Sequence, residues 1–213
     1  MKKHFIVVMM WLPLWSAAQI GLKAGINFAN VTQSTSLNNS NRSGFNLGII
    51  LATPGNRLLG SQTEFLYSRQ GYNFKTNTNT GVVDLDYLML PQYMSINITK
   101  LVSVLFGGHI AYLINAKVDS TGSSLPGNPA TGILKYYEKF DFGFGGGVEV
   151  HPVLGLLVGA RLNLSFGNLF SDLNNPTSGT PPSFVPTVNV KNNLFSIYTG
   201  WRFGGNSKSK GLR

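Results

Sequence analysis

From Phe140 to Val150 the chain alternates one residue at a time. The even positions are Phe140, Phe142, Phe144, Gly146, Val148 and Val150; the odd ones are Asp141, Gly143, Gly145, Gly147 and Glu149. Successive side chains of an extended chain point to opposite faces, so this period predicts a strand. The stretch 154–166 repeats it. Leu154, Leu156, Val158, Ala160, Leu162, Leu164 and Phe166 share one face, and Leu157, Gly159, Arg161, Asn163 and Ser165 lie on the other. That unbroken apolar face exceeds the usual strand length of about 5–6 residues. Weaker copies run over 20–29, 45–51, 104–115 and 195–203. In 104–115 one face reads Leu105, Gly107, His109, Ala111, Leu113 and Asn115. Two further strands are expected in 59–74 and 83–98; the run Tyr87-Leu88-Met89-Leu90-Pro91 hides which face of the latter is which.

The spacers sharpen the picture. They span 31–43, 53–58, 75–82, 99–101, 117–137, 151–153 and 169–191. The first, third, fifth and seventh are expected to be long and polar, the others short. Alternating long and short connections make consecutive strands antiparallel and gather the long loops at one end. The predicted fold is therefore all-β: an eight-stranded antiparallel up-and-down transmembrane β-barrel, with short periplasmic turns and longer extracellular loops. The physical basis is backbone satisfaction. Hydrocarbon offers no hydrogen bonds, so only helices and closed barrels cross it. Phe28, Tyr67, Tyr72, Tyr112, Phe166 and Phe170 are expected in an aromatic girdle at the loop end, and Tyr93, Trp201 and Phe203 at the turn end. If the apolar face of 154–166 meets the bilayer midplane, Val158→Arg should cost about 2–4 kcal/mol.

Composition narrows the class. Only 12% of the residues are charged, 43% are apolar, and cysteine is absent. Disorder needs high charge and few aromatics. Disulfide scaffolds and thiolate metal sites need cysteine. A membrane helix needs about 18 or more apolar residues in a row, and glycines at 155 and 159 interrupt the longest run after residue 18. The start reads as an export signal: Met1-Lys2-Lys3, an apolar stretch from Phe5 to Trp15, then Ser16-Ala17-Ala18 before cleavage at Gln19. The expected organisation is a signal peptide at 1–18, the barrel at 19–203 and a basic periplasmic tail at 204–213. Losing Lys2 and Lys3 lowers the net charge from +9 to +7. That charge is scattered, which argues against nucleic acid as a partner. It suits outer-membrane lipid and lipopolysaccharide.

The inward face supplies the candidate site. Alternation places Lys23, Glu64, His109, Asp141, Glu149, Arg161 and Arg202 inside the barrel. Eight strands enclose a bore that side chains just fill, so an interior charge network is expected rather than a wide pore. Buried charges need partners. Catalysis is not expected. His109 and His151 have no serine at a diagnostic spacing, and a nucleophile needs a base within reach. No cofactor is expected: Gly143-Phe144-Gly145-Gly146-Gly147 lacks the spacing and the helix of a dinucleotide loop. Asp84 and Asp86 share a face and suit Ca²⁺, but two carboxylates are too few for a site.

Several segments, taken in order, resemble the PorT-like outer-membrane β-barrel family of Bacteroidetes-type bacteria. They are Gly21-Leu22-Lys23-Ala24-Gly25-Ile26-Asn27-Phe28-Ala29-Asn30, then Gln62-Thr63-Glu64-Phe65-Leu66-Tyr67-Ser68-Arg69-Gln70-Gly71. Leu85-Asp86-Tyr87-Leu88-Met89-Leu90-Pro91 follows, with Trp201-Arg202-Phe203 at the end. Met89 departs from the pattern, which has a polar residue there. The resemblance implies a bacterial outer-membrane location. The expected function is a structural, adhesive or surface-interaction role through the extracellular loops near 117–137 and 169–191, since loops carry function on rigid scaffolds. An alternative is an accessory barrel of a secretion or transport complex, bound to other envelope proteins. A third is a soluble lipocalin-like ligand binder.

Overall fold

In the computed structural model, the alternation becomes an inside and an outside. The structure describes residues 19–32, 40–54, 58–75, 80–120, 134–170 and 190–203. The expected signal peptide and basic tail lie outside the described residues. Eight strands run β1 (Gln19–Thr32), β2 (Ser40–Ala52), β3 (Leu59–Lys75), β4 (Thr80–Asn97), β5 (Val102–Ser120), β6 (Phe140–Val150), β7 (Leu156–Ser165) and β8 (Lys191–Arg202). A 3₁₀ turn at Leu134–Tyr136 precedes β6. Each strand pairs antiparallel with the next, and β8 pairs with β1 to close the ring. No edge is left open.

Register fixes the tilt. Hydrogen-bond partners lead from Ile20 through Leu51, Thr63, Gln92, Gly108, Phe144, Leu164 and Asn193 back to β1 at Asn30, ten residues beyond the start. With standard strand rise and spacing, that stagger tilts the strands by about 40°. Ile26, Leu47, Phe65, Leu88, Phe106, Phe144, Leu162 and Ile197 all project outward and are exposed. Together they form an apolar belt around a sheet whose backbone is internally satisfied, which is the surface hydrocarbon requires.

Four expectations need correction. The third connection is not long: β3 continues to Lys75 and β4 begins at Thr80. Alternation persists beyond the belt because Tyr72, Phe74, Val83 and Leu85 still bury their inner faces. Among the outer connections, only those between β5 and β6 and between β7 and β8 are long. Asn115 does not face inward. Tyr87 pairs with Leu113 while Asp86 pairs with Asn115, so Ile114 is an extra, bulged residue. A bulge re-aims the strand beyond it, and Ala116 and Val118 point inward instead. Three girdle aromatics, Tyr72, Phe170 and Tyr93, are buried inside. Lastly, β7 begins at Leu156, and Leu154 belongs to the turn. In β4, whose facing the sequence hides, Val83, Leu85, Tyr87, Met89, Pro91, Tyr93 and Ser95 are buried. Leu88, Leu90, Gln92, Met94 and Ile96 occupy the alternate, outward positions.

The bore is filled in layers. Lys23, Glu64, Glu149, Arg161 and Arg202 occupy its turn-side half. Above them come amides and hydroxyls: Asn27 donates to Ser68 at 2.9 Å, Asn46 to Asn27 at 2.6 Å, and Ser196 to Asn27 at 2.9 Å. Gln70 donates to the Met89 sulfur at 3.2 Å, so Met89 serves as an acceptor in this layer. At the loop end lies an apolar cap of Tyr72, Phe74, Leu85, Tyr87, Leu113, Tyr137, Leu169, Phe170 and Leu194.

Candidate functional site

Glu64 is the hub of the charged layer. It sits on β3 and is fully buried. Lys23 of β1 donates to Oε2 at 2.9 Å. Arg161 of β7 donates Nη1 to Oε2 at 2.9 Å and Nη2 to Oε1 at 2.8 Å. This two-pronged guanidinium–carboxylate pairing is the strongest geometry available to such groups. A second carboxylate, Glu149 of β6, accepts from Tyr198 Oη at 2.9 Å and from Arg202 Nη2 at 2.9 Å. Gln62 spans the two, donating Nε2 to Glu64 at 2.7 Å and to Glu149 at 2.9 Å, while its oxygen accepts from Arg202 at 2.6 Å. Two rings flank the cations. The Lys23 ammonium lies 3.5 Å from the Tyr198 ring centre, and the Arg161 guanidinium 4.0 Å from that of Tyr93. Aromatic faces attract cations most when water is excluded.

The structure thus brings together Lys23, Glu64, Glu149, Arg161 and Arg202 from the seven expected residues. The other two lie elsewhere. His109 is buried opposite Gly143, with no partner for Nδ1 among the described residues. Asp141 accepts from Ser165 at 2.6 Å. Sequence reasoning missed Gln62, Tyr93 and Tyr198 because it collected only charged residues. Gln62 had a signal: it shares the inward face with Glu64, two residues away. His151 lies in the turn after β6. Burial and the Arg202 guanidinium hold its imidazole below the ordinary histidine range, and Glu149 only partly opposes this.

Glycines make the space for this cluster. A Cβ on Gly159 would stand 2.6 Å from the Tyr198 ring, and one on Gly25 2.6 Å from the Tyr198 Cβ. Gly159→Ala should therefore push the Tyr198 hydroxyl off Glu149 and destabilise the barrel by about 1–3 kcal/mol, the usual cost of overpacking. Urea unfolding in lipid vesicles checks it.

Asp84 and Asp86 are engaged on the outer wall. Arg42 meets Asp84 at 2.8 Å, and Arg69 meets Asp86 at 2.7 Å with Asn115 donating to the same carboxylate at 2.9 Å. The Arg42–Asp84 pair is partly exposed, which keeps its contribution small, whereas the Asp86 carboxylate is buried beneath Arg69 and Asn115.

A closed ring of eight tilted strands, apolar outside and filled with paired polar groups inside, defines a protein of the bacterial outer-membrane β-barrel class. The soluble lipocalin-like alternative fails on both counts: its exterior would be polar, and its bore would hold a ligand rather than side chains. Residues 12–171 match the family model described as outer membrane protein beta-barrel domain, and the chain belongs to that family. Its location is accordingly the bacterial outer membrane. Among solved structures it is similar to neisserial surface protein A, with 13% identity, coverage of 86% of this chain and 97% of that one, and a TM-score of 0.52. It is also similar to Ail, the attachment invasion locus protein of Yersinia pestis, in complex with the heparin analogue sucrose octasulfate: 20% identity, 88% and 99% coverage, TM-score 0.50. At such identities these likenesses concern the fold. No sequence among curated proteins matches the chain.

Proposed function

We propose that this protein is a surface-interaction barrel of the cell envelope, acting through the two long outer connections rather than through its bore. One observation carries the reading: the roots of both connections are fastened together over a filled barrel mouth. Tyr137 bridges to Phe170, Glu138 N donates to Leu169 O at 3.0 Å, and Leu169 N to Val190 O at 2.8 Å. The Tyr72 and Tyr137 hydroxyls meet at 2.8 Å beneath them. Segments 121–133 and 171–189 therefore leave from one fixed platform. In the loops 33–39, 76–79, 121–133 and 171–189 the only charged residue is Asp172, against many Asn, Ser, Thr, Gly and Pro. Contact by these loops works through hydrogen bonds and shape, not charge, and is insensitive to salt.

The charged cluster acts as a plug that stiffens the wall and blocks diffusion. Three further readings accompany this one: removal of residues 1–18 on export, which suits a first strand starting at Gln19; lipopolysaccharide around the outer wall; and PorT-like ancestry in Bacteroidetes-type bacteria, resting on the motifs quoted above. The test is adhesion. Outer-membrane vesicles carrying the full chain should adhere to immobilised extracellular matrix equally at low and at high salt, because contact made without charge is not screened. Replacing 121–133 and 171–189 with short Gly-Ser links should abolish adhesion while the gel shift on boiling persists. Adhesion that survives the replacement, or stepwise porin-like conductance in planar bilayers, would overturn the reading.

A further inference from the structure

On β4 a side-chain amide interrupts the apolar belt in the middle of the strand. On β4 the outward residues are Leu88, Leu90, Gln92, Met94 and Ile96, so Gln92 has two apolar residues on either side of it toward each membrane surface. Its carbonyl accepts from Thr63 Oγ1 on β3, and its Nε2 donates to Ser61 Oγ at 2.8 Å. A primary amide has two N–H donors and two acceptor sites. Among the described residues, one donor and one acceptor of Gln92 are left over. Lipid chains can satisfy neither, and an unmet polar group in hydrocarbon is costly.

The residues beside this amide are small. Gln92 pairs with Thr63 on one side and Gly108 on the other, and Gly146 pairs with Phe106 one strand further on. Most glycines of this barrel are required by their surroundings. Gly108 is not: a Cβ there would meet only Gly143 O, at an ordinary 3.5 Å. The fold gives no reason for a missing side chain on the lipid side of Gly108. Close approach of another backbone does, since small residues and polar side chains together mark contacts between membrane-spanning segments.

We infer that two copies of this chain associate in the membrane through the β3–β4–β5 wall, with a two-fold axis passing beside Gln92. The group itself selects a second copy. An amide offering one free donor and one free acceptor is its own complement, and a two-fold axis brings the same patch against itself. The patch carries no charge, so the copies do not repel. Thr63 and Gly108 let the walls close until the two amides exchange hydrogen bonds.

The chain contains no cysteine, which makes the test clean. Full-length barrels would be refolded into detergent micelles matched to solvent density, and their self-association measured by sedimentation equilibrium. The wild type should dimerise, and Gln92→Leu should weaken the dimer about tenfold, in line with interhelical hydrogen bonds in membranes. Gly108→Leu, which keeps Gln92 but places a bulky side chain beside it, should weaken it as well. Both variants must keep the gel shift on boiling, which reports a folded barrel independently of association. In outer membranes, a single cysteine at Leu90→Cys should join to its own copy through a short bis-maleimide, whereas one at Val158→Cys on β7 should not. A monomeric wild type, a dimer unaffected by both substitutions, or cross-linking of Leu90→Cys only to a different envelope protein would overturn the inference.

Discussion

Glu64→Gln should destabilise the folded barrel by about 3–5 kcal/mol, the cost of leaving buried charges without a partner. Two cations lose their counter-charge at once: Lys23 at 2.9 Å and Arg161 at 2.8 Å. Neither can swing into water, because each retains only 2% of its side-chain exposure. Glu149 cannot replace the lost charge. It already holds Arg202 at 2.9 Å and lies 3.6 Å from Arg161. The measurement is the urea midpoint of unfolding in lipid vesicles. Asp141→Asn is the contrast: this residue is inward too, but among the described residues its one side-chain partner is the Ser165 hydroxyl, so the expected cost is about 1 kcal/mol. Equal effects of the two substitutions would mean that ion pairing in the charged layer contributes nothing beyond an ordinary hydrogen bond.

Leu162→Arg should cost about 2–4 kcal/mol, with Val158→Arg costing no more than about 1. Read from the sequence, a cost of about 2–4 kcal/mol at Val158 is tied to the apolar face of 154–166 meeting the bilayer midplane. The strand begins at Leu156, which makes Val158 the second lipid-facing residue from the turn and puts Leu162 nearer the centre of the run ending at Phe166. The price of a charge in the bilayer falls steeply toward either surface, where an arginine reaches the headgroups. Refolding titrations of both variants in phosphatidylcholine vesicles give the comparison. A larger loss at 158 than at 162 would shift the membrane toward the turn side.

Period-two alternation made most of this barrel readable. In β6 and β7, glycine and charged or amide residues on one face and phenylalanine, leucine and valine on the other leave no choice of orientation. The reading failed where facing depends on a neighbour. The bulge at Ile114 exists only because β5 must stay paired with β4, and nothing around Asn115 announces it. The girdle rule misplaces Tyr72, which shares the inward parity of Gln62 and Glu64, and Phe170; both rings belong to the cap at the barrel mouth. Of the charged layer, membership was readable but pairing was not. Lys23 and Glu64 are 41 residues apart, and Arg161 and Glu64 are 97 apart, so only ring closure decides who meets whom. The stagger of ten residues is likewise a property of the closed ring, which no single strand displays.

The sources of the charges bear on how the barrel is put together. The three cations come from β1, β7 and β8, and the two carboxylates from β3 and β6. The early strands alone do not complete the network: β1 brings the Lys23 ammonium and β3 the Glu64 carboxylate, yet the guanidinium that grips that carboxylate with two hydrogen bonds arrives only with β7. A partly threaded sheet released into the bilayer would expose uncompensated charge to lipid. Such contacts between distant parts of the chain are slow to form. The network is complete only when β8 meets β1, because Tyr198 and Arg202 of β8 are the partners of Glu149; a complete ring satisfies the buried groups that an incomplete one leaves unpartnered.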